Sequence, residues 1–479
     1  DVGLEGVQGY TKINTVALGN PALRNGIQFI KTINANPAIS HVLVQAWNAG
    51  LTASAVYLNT TAIPSQGNFA ATVLSTDPSG AGLGRFATGP DGSVFYANED
   101  QVMVWSSAEH RVGAVINYDD PAATFRYDIS ERMQNNLFDV SNRFTLVRDG
   151  SLDIWLHIGS TRPLQGIRFY VQTVNTAAST TTVEYWNGSA WVAVAGFTDG
   201  TAVGGVTLAQ TGSMTFTSTV STARTRLLDE RLLYFYRVRV GATGTPDATV
   251  ALYHVTVDAP MQQIVDIWDG VRRRPIFADT VSADYTLEVL EPSSSDAPIA
   301  MQTGGGVAMT LIFEEQLTAL RFRMVANVVN SNAAVLTVNY WNGAGFVSVG
   351  TLQDLTSSAG ATLARSGTVS WNAVAPTTEL RKTGEEANFV GAGTNGYAYF
   401  LTASGALSNS VLIDVIEGIP AQRFSPQVTI PGYRFPLSYQ GRILVCGRLA
   451  GNEGHRIDYC ATGTPDVWNG EDSSDQGKE

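Results

Sequence analysis

The sequence predicts an all-β protein in which β-propeller segments are interrupted by two homologous, inserted β-sandwich modules of the jelly-roll kind. Three observations predict this: a hairpin motif that occurs twice, short alternating strands between turn residues, and few stretches of helical periodicity. The 479 residues allow three or four domains. With 44% hydrophobic residues the chain can build sizeable cores, and only residues 21–33 and 313–322 have a pattern compatible with short helices.

The duplicated hairpin is the strongest signal. It runs from Tyr185 to Val192 as Tyr-Trp-Asn-Gly-Ser-Ala-Trp-Val, and from Tyr340 to Val347 as Tyr-Trp-Asn-Gly-Ala-Gly-Phe-Val. Asn-Gly tolerates the positive φ angles of a type I′ turn, and the flanking aromatics can pack across the ladder to fix its register. The matching context keeps one offset, since 340 − 185 and 367 − 212 both give 155. A period this long predicts a duplicated domain.

The domain order follows from these modules. Residues 1–128 have the pattern of propeller blades, with strands predicted at 40–47, 55–58, 84–88, 93–97, 101–105 and 114–118. Residues 129–262 hold the first sandwich module, 263–420 the second, and 421–479 return to propeller-like strands with a polar tail. Too few blades are present to close a ring. Insertion of a module at a loop is tolerated because the loop ends lie close together.

Charge and cysteine content narrow the function. A formal net charge of −12 argues against a nucleic-acid binder, which needs a basic footprint, but not against a surface that duplex DNA slides past. Cys446 and Cys460 are too few for a disulfide framework; we expect reduced core cysteines, although neighbouring strand patterns would also let them pair. No apolar run approaches the ~20 residues of a membrane helix.

Motifs for catalysis, cofactors or metals are weak. Residues 391–396 match the spacing of the dinucleotide fingerprint, but a strand pattern follows where the phosphate site needs a helix. The five histidines lack metal-ligand spacing. Four acidic pairs are adjacent in sequence, so on a strand the two members would point to opposite faces and could not share a glycosidase cleft. The pairs are Asp119 and Asp120, Asp229 and Glu230, Glu314 and Glu315, and Glu385 and Glu386. The sequence therefore predicts a protein that is not an enzyme and uses no cofactor or metal.

Two sets of residues remain as candidate sites. Aromatic side chains near the hairpin tips could form a glycan platform or an interface anchor, or could simply pin the hairpins and cover the sandwich cores. These aromatics are Trp186, Trp191, Trp341 and Phe346. A basic run in an acidic chain could make an inter-subunit contact or form a solvated face. This run is Arg272, Arg273 and Arg274.

Several segments resemble modules of tailed-bacteriophage virion proteins. The hairpin, the run 208–216 and the strand 234–240 carry this resemblance. The segments 442–447 and 456–459, with the Thr-Pro-Asp-Val-Trp that follows at 464–468, resemble the blades of phage tail propellers. The resemblance implies a structural tail nozzle or tail-tip protein of the virion, assembled in the host cytoplasm. Such a protein would form a homo-oligomeric ring, contact other tail proteins and surround the duplex DNA without specific binding.

A carbohydrate-binding or receptor-recognition protein is the alternative from a different class. Its sandwich modules would then act like lectins and bind a host-surface glycan. Sugar binding needs a groove of exposed aromatics flanked by polar groups, whereas an interface role needs the same rings to be covered on assembly. A glycan-cleaving enzyme is a third reading that no motif supports.

Overall fold

The structure is a computed structural model of the whole chain. It describes residues 23–31, 39–47, 54–58, 73–77, 83–106, 109–119, 125–135, 142–228, 231–265, 267, 272–280, 283–290, 299–300, 308–372, 374–375, 377–382, 395–408, 411–420, 430, 432–448, 453–468 and 477–478. The chain divides into two compact units. The first comprises Asp1–Thr225, Leu233–Ile267 and Thr429–Glu479, and the second comprises Arg226–Leu232 and Trp268–Val428.

Short antiparallel strands make up nearly all of the regular structure. The N-terminal part contains β1 (Leu23–Lys31), β2 (Ile39–Trp47), β3 (Ser54–Leu58), β4 (Ser75–Asp77), β5 (Arg85–Thr88), β6 (Val94–Ala97) and β7 (Val102–Trp105). Then follow β8 (His110–Arg111), β9 (Ala114–Tyr118), β10 (Arg126–Asp128), the helix α1 (Ser130–Gln134), β11 (Phe144–Thr145), β12 (Ile154–Ser160), β13 (Gly166–Thr173), β14 (Thr181–Trp186), β15 (Trp191–Ala193), β16 (Thr198–Asp199), β17 (Gly212–Thr215), β18 (Thr225–Leu228), β19 (Arg231–Val240), β20 (Ala251–Asp258) and β21 (Gln262–Gln263).

The second half of the chain continues in the same style. It contains β22 (Phe277–Thr280), β23 (Ala283–Asp284), β24 (Ile299–Ala300), β25 (Ala308–Phe313), β26 (Leu317–Met324), β27 (Leu336–Trp341), β28 (Phe346–Ser348), β29 (Gln353–Asp354), β30 (Gly367–Ser370), β31 (Arg381–Lys382), β32 (Gly396–Ala403) and β33 (Leu412–Pro420). The C-terminal part contains β34 (Phe435–Tyr439), β35 (Arg442–Cys446), β36 (Ile457–Tyr459) and β37 (Gly477–Lys478). The all-β class predicted from the sequence is confirmed.

The prediction that two short segments could form helices is wrong. Residues 23–31 form β1, and residues 313–322 span the end of β25 and most of β26. Both segments pair with neighbouring strands along their length, and this pairing decides between helix and strand where a short apolar pattern is ambiguous. The single helix of the described residues is α1, and no described helix is long and apolar enough to cross a membrane.

The two sandwiches share one topology. In the first, one sheet has the order β10-β9-β12-β19-β14-β15 with β18 beside β19, and the other has the order β11-β20-β13-β17-β16 with β8 beside β20. In the second, the orders are β23-β22-β25-β32-β27-β28 with β31 beside β32, and β24-β33-β26-β30-β29. The repeat in the sequence therefore corresponds to a repeat of strand order in space.

Each sandwich has its own core between its two sheets. In the first, Leu156 and Tyr236 of one sheet and Phe169 of the other belong to a single buried cluster. The second core is also formed by side chains of both sheets, with Leu311 among the residues of one sheet and Phe322 among those of the other. Burial of each such side chain stabilises the fold by roughly 1.5–3 kcal/mol.

Three four-stranded antiparallel sheets lie outside the sandwiches, all in the first unit. The first sheet is β1-β2-β3-β4, the middle sheet is β5-β6-β7-β21, and the last sheet is β34-β35-β36-β37. In the middle sheet, Tyr96 packs with the first sheet, and its neighbour Phe95 packs with the last sheet. Alternate residues of a strand point to opposite faces, and all four residues of β6 are buried. The middle sheet is therefore covered on both faces.

One blade strand was assigned to the wrong sheet. The sequence predicted Ala114–Tyr118 as a propeller strand that follows the strands at 84–88, 93–97 and 101–105, but this strand, β9, pairs with β12 in the first sandwich. All five of its residues are buried, as in an interior strand of a sandwich. The fourth strand of the middle sheet is instead β21, which pairs with β7 from more than 150 residues further along the chain. None of the described sheets closes into a ring, so the propeller itself is not confirmed.

A buried cation connects the first sandwich to this stack of sheets. Arg162 follows β12, and its side chain is only 4% exposed. Its Nε donates to Asp466 Oδ1 at 2.8 Å, and its Nη2 lies 3.3 Å from Asp91 Oδ2. Its Nη1 also donates to the hydroxyls of Ser93 and Ser106. One guanidinium thus holds together the middle sheet, the sandwich and the C-terminal segment.

Burial disfavours the charged form of each member of this cluster. Burial raises the pKa of Asp466 above its ordinary value, although Arg162 pulls it in the opposite direction. Burial also acts on Asp91, but Arg162 and His110 together hold its pKa below its ordinary value. Despite its own burial, Arg162 stays charged because the two carboxylates raise its pKa.

Removing this cation should destabilise the first unit strongly. We expect Arg162→Met to lower the free energy of unfolding at neutral pH by about 3–5 kcal/mol, because two buried carboxylates lose their counter-ion. Urea denaturation measures this loss. The matched control is Arg434→Met, which breaks a 2.8 Å ion pair with Glu99; the side chain of Arg434 is 44% exposed. The control should cost less than about 1 kcal/mol. Equal losses in the two variants would contradict the assignment.

Candidate functional site

The turn of each aromatic hairpin is a four-residue loop held by an asparagine side chain. Asn187 Oδ1 accepts hydrogen bonds from the backbone N–H groups of Ser189 and Ala190, at 2.9 and 2.8 Å. Positive φ occurs at Gly188 but not at Asn187, whereas a type I′ turn needs it at both central residues. The predicted type I′ turn is therefore wrong. The second hairpin repeats the arrangement, with Asn342 as the acceptor.

The predicted packing of aromatics across the ladder is confirmed in both hairpins. Trp186 is directly opposite Trp191, and their rings meet edge to face with centroids 5.7 Å apart. Trp341 is directly opposite Phe346 in the same geometry, at 5.4 Å. Edge-to-face pairs of this kind add roughly 0.5–1.5 kcal/mol beyond the area they bury. All four rings are half-buried.

In the first sandwich the hairpin continues into a ladder of rings and charges. Trp191 stacks on His157 with centroids 5.4 Å apart, and His157 stacks on Tyr118 at 3.9 Å. The guanidinium of Arg237 lies 5.2 Å from the centroid of Trp191, and its Nη2 is 2.6 Å from Glu184 Oε2. This cation is thus both stacked and ion-paired. The ladder crosses the sheet face that is turned away from the sandwich core.

In the second sandwich the same sheet face carries a more apolar arrangement. Phe346 stacks on Phe400 with centroids 5.1 Å apart, and the Nζ of Lys382 lies 3.8 Å from the centroid of Trp341. Phe346 and Trp341 pack on a small cluster that includes Ile312, which is separate from the core between the sheets. The hypothesis that these rings cover the sandwich core is therefore wrong. They lie on the outer face and are half-buried there.

The arginines of the basic run form ion pairs within their own unit. Arg272 and Arg274 lie 3.6 and 3.9 Å from the carboxylate of Glu417, which also accepts a 2.7 Å bond from Arg321. Arg273 lies 3.1 Å from Glu315. Such partly exposed pairs contribute little to stability individually. The run is thus an ion-paired surface, and its role at a subunit contact stays a prediction.

A buried carboxyl group in the second sandwich escaped the sequence reasoning. Glu379 is only 2% exposed, and its Oε1 accepts a hydrogen bond from the hydroxyl of the core residue Tyr399. Burial raises the pKa of Glu379 to about 7, although the bond from Tyr399 opposes part of this shift. Nothing in the local sequence marks a lone glutamate near a turn as buried. Among the residues that the structure describes, the first sandwich has no carboxyl group at the equivalent tyrosine, where the hydroxyl of Thr219 is the partner instead.

Other chemical groups do not assemble into a site in the described part of the chain. No cluster of three or more potential metal ligands occurs among those residues. Glu315 pairs with Arg273, whereas Glu314 is exposed. Three of the acidic pairs and the glycine-rich segment lie wholly or partly outside the described residues; they are Asp119 and Asp120, Asp229 and Glu230, Glu385 and Glu386, and residues 391–394.

The two cysteines are free thiols. Cys460 is buried among the core residues between the middle and last sheets, and burial raises its pKa to about 11. Cys446 is only partly buried, and it pairs across the ladder with Ile457 rather than with Cys460. The prediction of unpaired cysteines agrees with this geometry.

Comparison with known proteins adds no assignment. No protein-family model matches the chain, and no curated protein matches it. Among solved structures, similarity is found to a glycoside hydrolase at 10% identity and a TM-score of 0.18, covering 48% of this chain and 58% of that protein. The CBM32-1 and CBM32-2 domains of Clostridium perfringens ZmpB match at 5% identity and a TM-score of 0.19, covering 65% of this chain and 92% of those domains. Allantoicase matches at 9% identity and a TM-score of 0.18, covering 65% and 91%. Scores this low assign neither fold nor function.

The outer-face packing of the second hairpin can be tested by stability. We expect Phe346→Ala to lower the free energy of unfolding of the second unit by about 2 kcal/mol, because the substitution removes the contacts of this ring with Trp341 and Phe400. Val347→Ala is the matched control, since this neighbour is 40% exposed. It should cost less than about 0.5 kcal/mol. Urea unfolding followed by circular dichroism compares the two, and indistinguishable midpoints would argue against the packing role.

Proposed function

We propose that this protein is a non-enzymatic structural component of a bacteriophage tail, a nozzle or tail-tip subunit that forms a ring around the DNA exit path. In this proposal the three stacked four-stranded sheets are blades of a propeller whose sequence is interrupted by the two sandwiches. The sandwiches are jelly-roll modules that decorate the ring or contact its neighbours. The sequence resemblance to virion proteins supports the class of protein.

The observation that carries the proposal is an exposed apolar face on the last sheet. On β34, Phe435, Leu437 and Tyr439 alternate along one face and are 46%, 53% and 57% exposed. Leu437 faces Leu444 across the ladder, so the apolar surface extends to the next strand. The opposite face of the same sheet is buried against the middle sheet. A contiguous exposed apolar face on an edge strand is typical of a protein that assembles.

The net charge suits a conduit for DNA. A subunit with a formal charge of −12 repels the phosphate backbone, so the duplex can move through the ring without adhering. The proposal therefore expects the lumen of the assembled ring to be net acidic. A basic lumen in an electron-microscopy reconstruction of the ring would count against it.

Assembly can be tested with a charge placed on the apolar face. We expect native mass spectrometry and negative-stain images to show a defined ring, and Leu437→Glu to shift it towards monomer because the contact would bury an unpaired charge. Leu287→Glu is the matched control, since Leu287 is 77% exposed and lies in the second unit. It should leave the ring intact. A wild-type chain that stays monomeric in the presence of neighbouring tail proteins would sink the proposal.

The half-buried aromatic rings near the hairpin tips favour carbohydrate recognition as a second candidate function. The ring of Trp191 stacks on His157 and lies beside Arg237, so a sugar would contact the part of the ring that these two groups leave accessible. The ion pair of Arg237 with Glu184 supplies the polar groups beside it. If this function holds, a glycan array should show binding that Trp191→Ala or Phe346→Ala abolishes. Val203→Ala, at a 52% exposed position of the first sandwich, should leave the binding unchanged. The opposite result would be that the wild type binds no glycan and that the two aromatic variants fail to form the oligomeric ring. That result would favour a role of these aromatic side chains at a subunit interface.

A further inference from the structure

Both sandwiches bury a tyrosine hydroxyl at the same place, but they satisfy it differently. In the first, the hydroxyl of Tyr236 accepts from the N–H of Leu164 at 2.7 Å and lies 2.5 Å from the hydroxyl of Thr219. In the second, the hydroxyl of Tyr399 accepts from the N–H of Leu317 at 2.5 Å and donates to the carboxyl group of Glu379. An ionisable group thus stands where the duplicate has a neutral one.

The backbone around Glu379 shows which residue it replaces. The N–H of Glu379 donates to the carbonyl of Ala375 at 3.3 Å, and the N–H of Ala223 donates to that of Thr219 at 2.8 Å. Glu379 therefore corresponds to the buried Ala223 of the first sandwich. The carboxyl group is an addition at a position where the other copy has a methyl group.

Glu379 belongs to a segment that lies against the second aromatic hairpin, and residues 378–382 of this segment are termed the strap. The N–H of Leu380 donates to the carbonyl of Trp341 at 3.0 Å, and the side chain of Leu380 packs over Gly343. Lys382 places its Nζ over the ring of Trp341. The strap therefore covers one side of this hairpin. Its last two residues form β31 and pair with β32, and Glu379 fastens its first part to the core through Tyr399.

No cation compensates a charge on Glu379 among the described residues around it. Arg381 donates to the carbonyl of Glu314 at 2.7 Å and stacks on Tyr397. Lys382 places its Nζ over the ring of Trp341, and Gln316 donates to the backbone carbonyl of Glu379. The second carboxyl oxygen, Oε2, is buried and has no hydrogen-bond partner in the described part of the chain. A buried charge with one hydrogen bond is costly.

We propose that Glu379 is a proton-operated latch: protonated, it holds the strap closed on the Trp341 hairpin, and ionised, it releases the strap and exposes that hairpin. The first sandwich has the same backbone contact without the latch, since the N–H of Arg224 donates to the carbonyl of Trp186 at 2.9 Å. Only the second hairpin would therefore change its accessibility with pH. This device is independent of the tail proposal and would operate equally in a glycan-binding protein.

The sign of the effect follows from the direction of the pKa shift. The pKa of Glu379 is raised to about 7 from an ordinary value of 4.5, chiefly by burial. The closed state thus binds the proton more tightly than the open state, where the carboxyl group is solvated. The stabilisation of the closed strap is fully present below about pH 4.5 and is lost as the pH rises through about 7. Between pH 6 and pH 9, opening should become about tenfold more frequent.

Hydrogen–deuterium exchange with mass spectrometry on the full chain tests the latch. Exchange of the strap and of residues 336–348 is measured at pH 6 and pH 9 and corrected for the intrinsic pH dependence of exchange. We expect the strap to lose about tenfold of its protection at pH 9, while residues 219–226 and 181–193 of the first sandwich do not change. This internal comparison needs no variant, so it stands even where a substitution prevents folding.

Two variants separate the latch from a general effect of pH. Glu379→Gln is neutral at every pH and should keep the strap equally protected at pH 6 and pH 9. Glu314→Gln, which removes an exposed carboxyl group at the start of the neighbouring turn, should retain the tenfold change. Equal pH responses of the two straps, or a tenfold change that persists in Glu379→Gln, would overturn the proposal.

Discussion

The buried charge of Arg162 is the interaction on which the first unit depends. Its two carboxylate partners are separated by the whole of both sandwiches in the sequence, and Asp466 lies 304 residues from the arginine. An arginine that is fully desolvated must find such partners, since its planar guanidinium needs several acceptors at once. The cluster therefore fixes where the chain returns after the insertions. The cluster positions these segments relative to one another but adds little net stability, because the cost of desolvating the three charges offsets much of their electrostatic attraction.

The duplication shows which features of a sandwich the fold requires and which it leaves open. Both copies keep the strand order, the edge-to-face aromatic pair and the asparagine that caps the hairpin loop. They differ on the outer sheet face, where one copy has stacked rings with an ion-paired Arg237 and the other has Phe346 on Phe400. They also differ in the partner of the buried tyrosine, which is the hydroxyl of Thr219 in one copy and the carboxyl group of Glu379 in the other. The two copies thus keep the hairpin and the strand order while the groups packed around the hairpin differ.

Sequence reasoning succeeded where the signal was local and failed where pairing was remote. The β2, β3 and β6 strands were predicted within about one residue, because alternation and turn residues are local properties. The partner of a strand is not a local property, so β9 was placed in a blade when it belongs to a sandwich. The asparagine loop was mistaken for a type I′ turn because the same dipeptide serves both. The two free cysteines and the aromatic pairing were anticipated correctly.

The sequence by itself determined that this is a duplicated, strand-rich protein with aromatic hairpins, because periodicity and repetition are written along the chain. Tertiary structure alone decided that the rings of Trp191 and Phe346 face outwards, that the arginines of 272–274 form ion pairs with Glu417 and Glu315, and that Glu379 is buried. These facts depend on which side chains meet across sheets and between segments far apart in the sequence. Burial and charge pairing depend on these contacts between distant segments, so no single stretch of the sequence determines them.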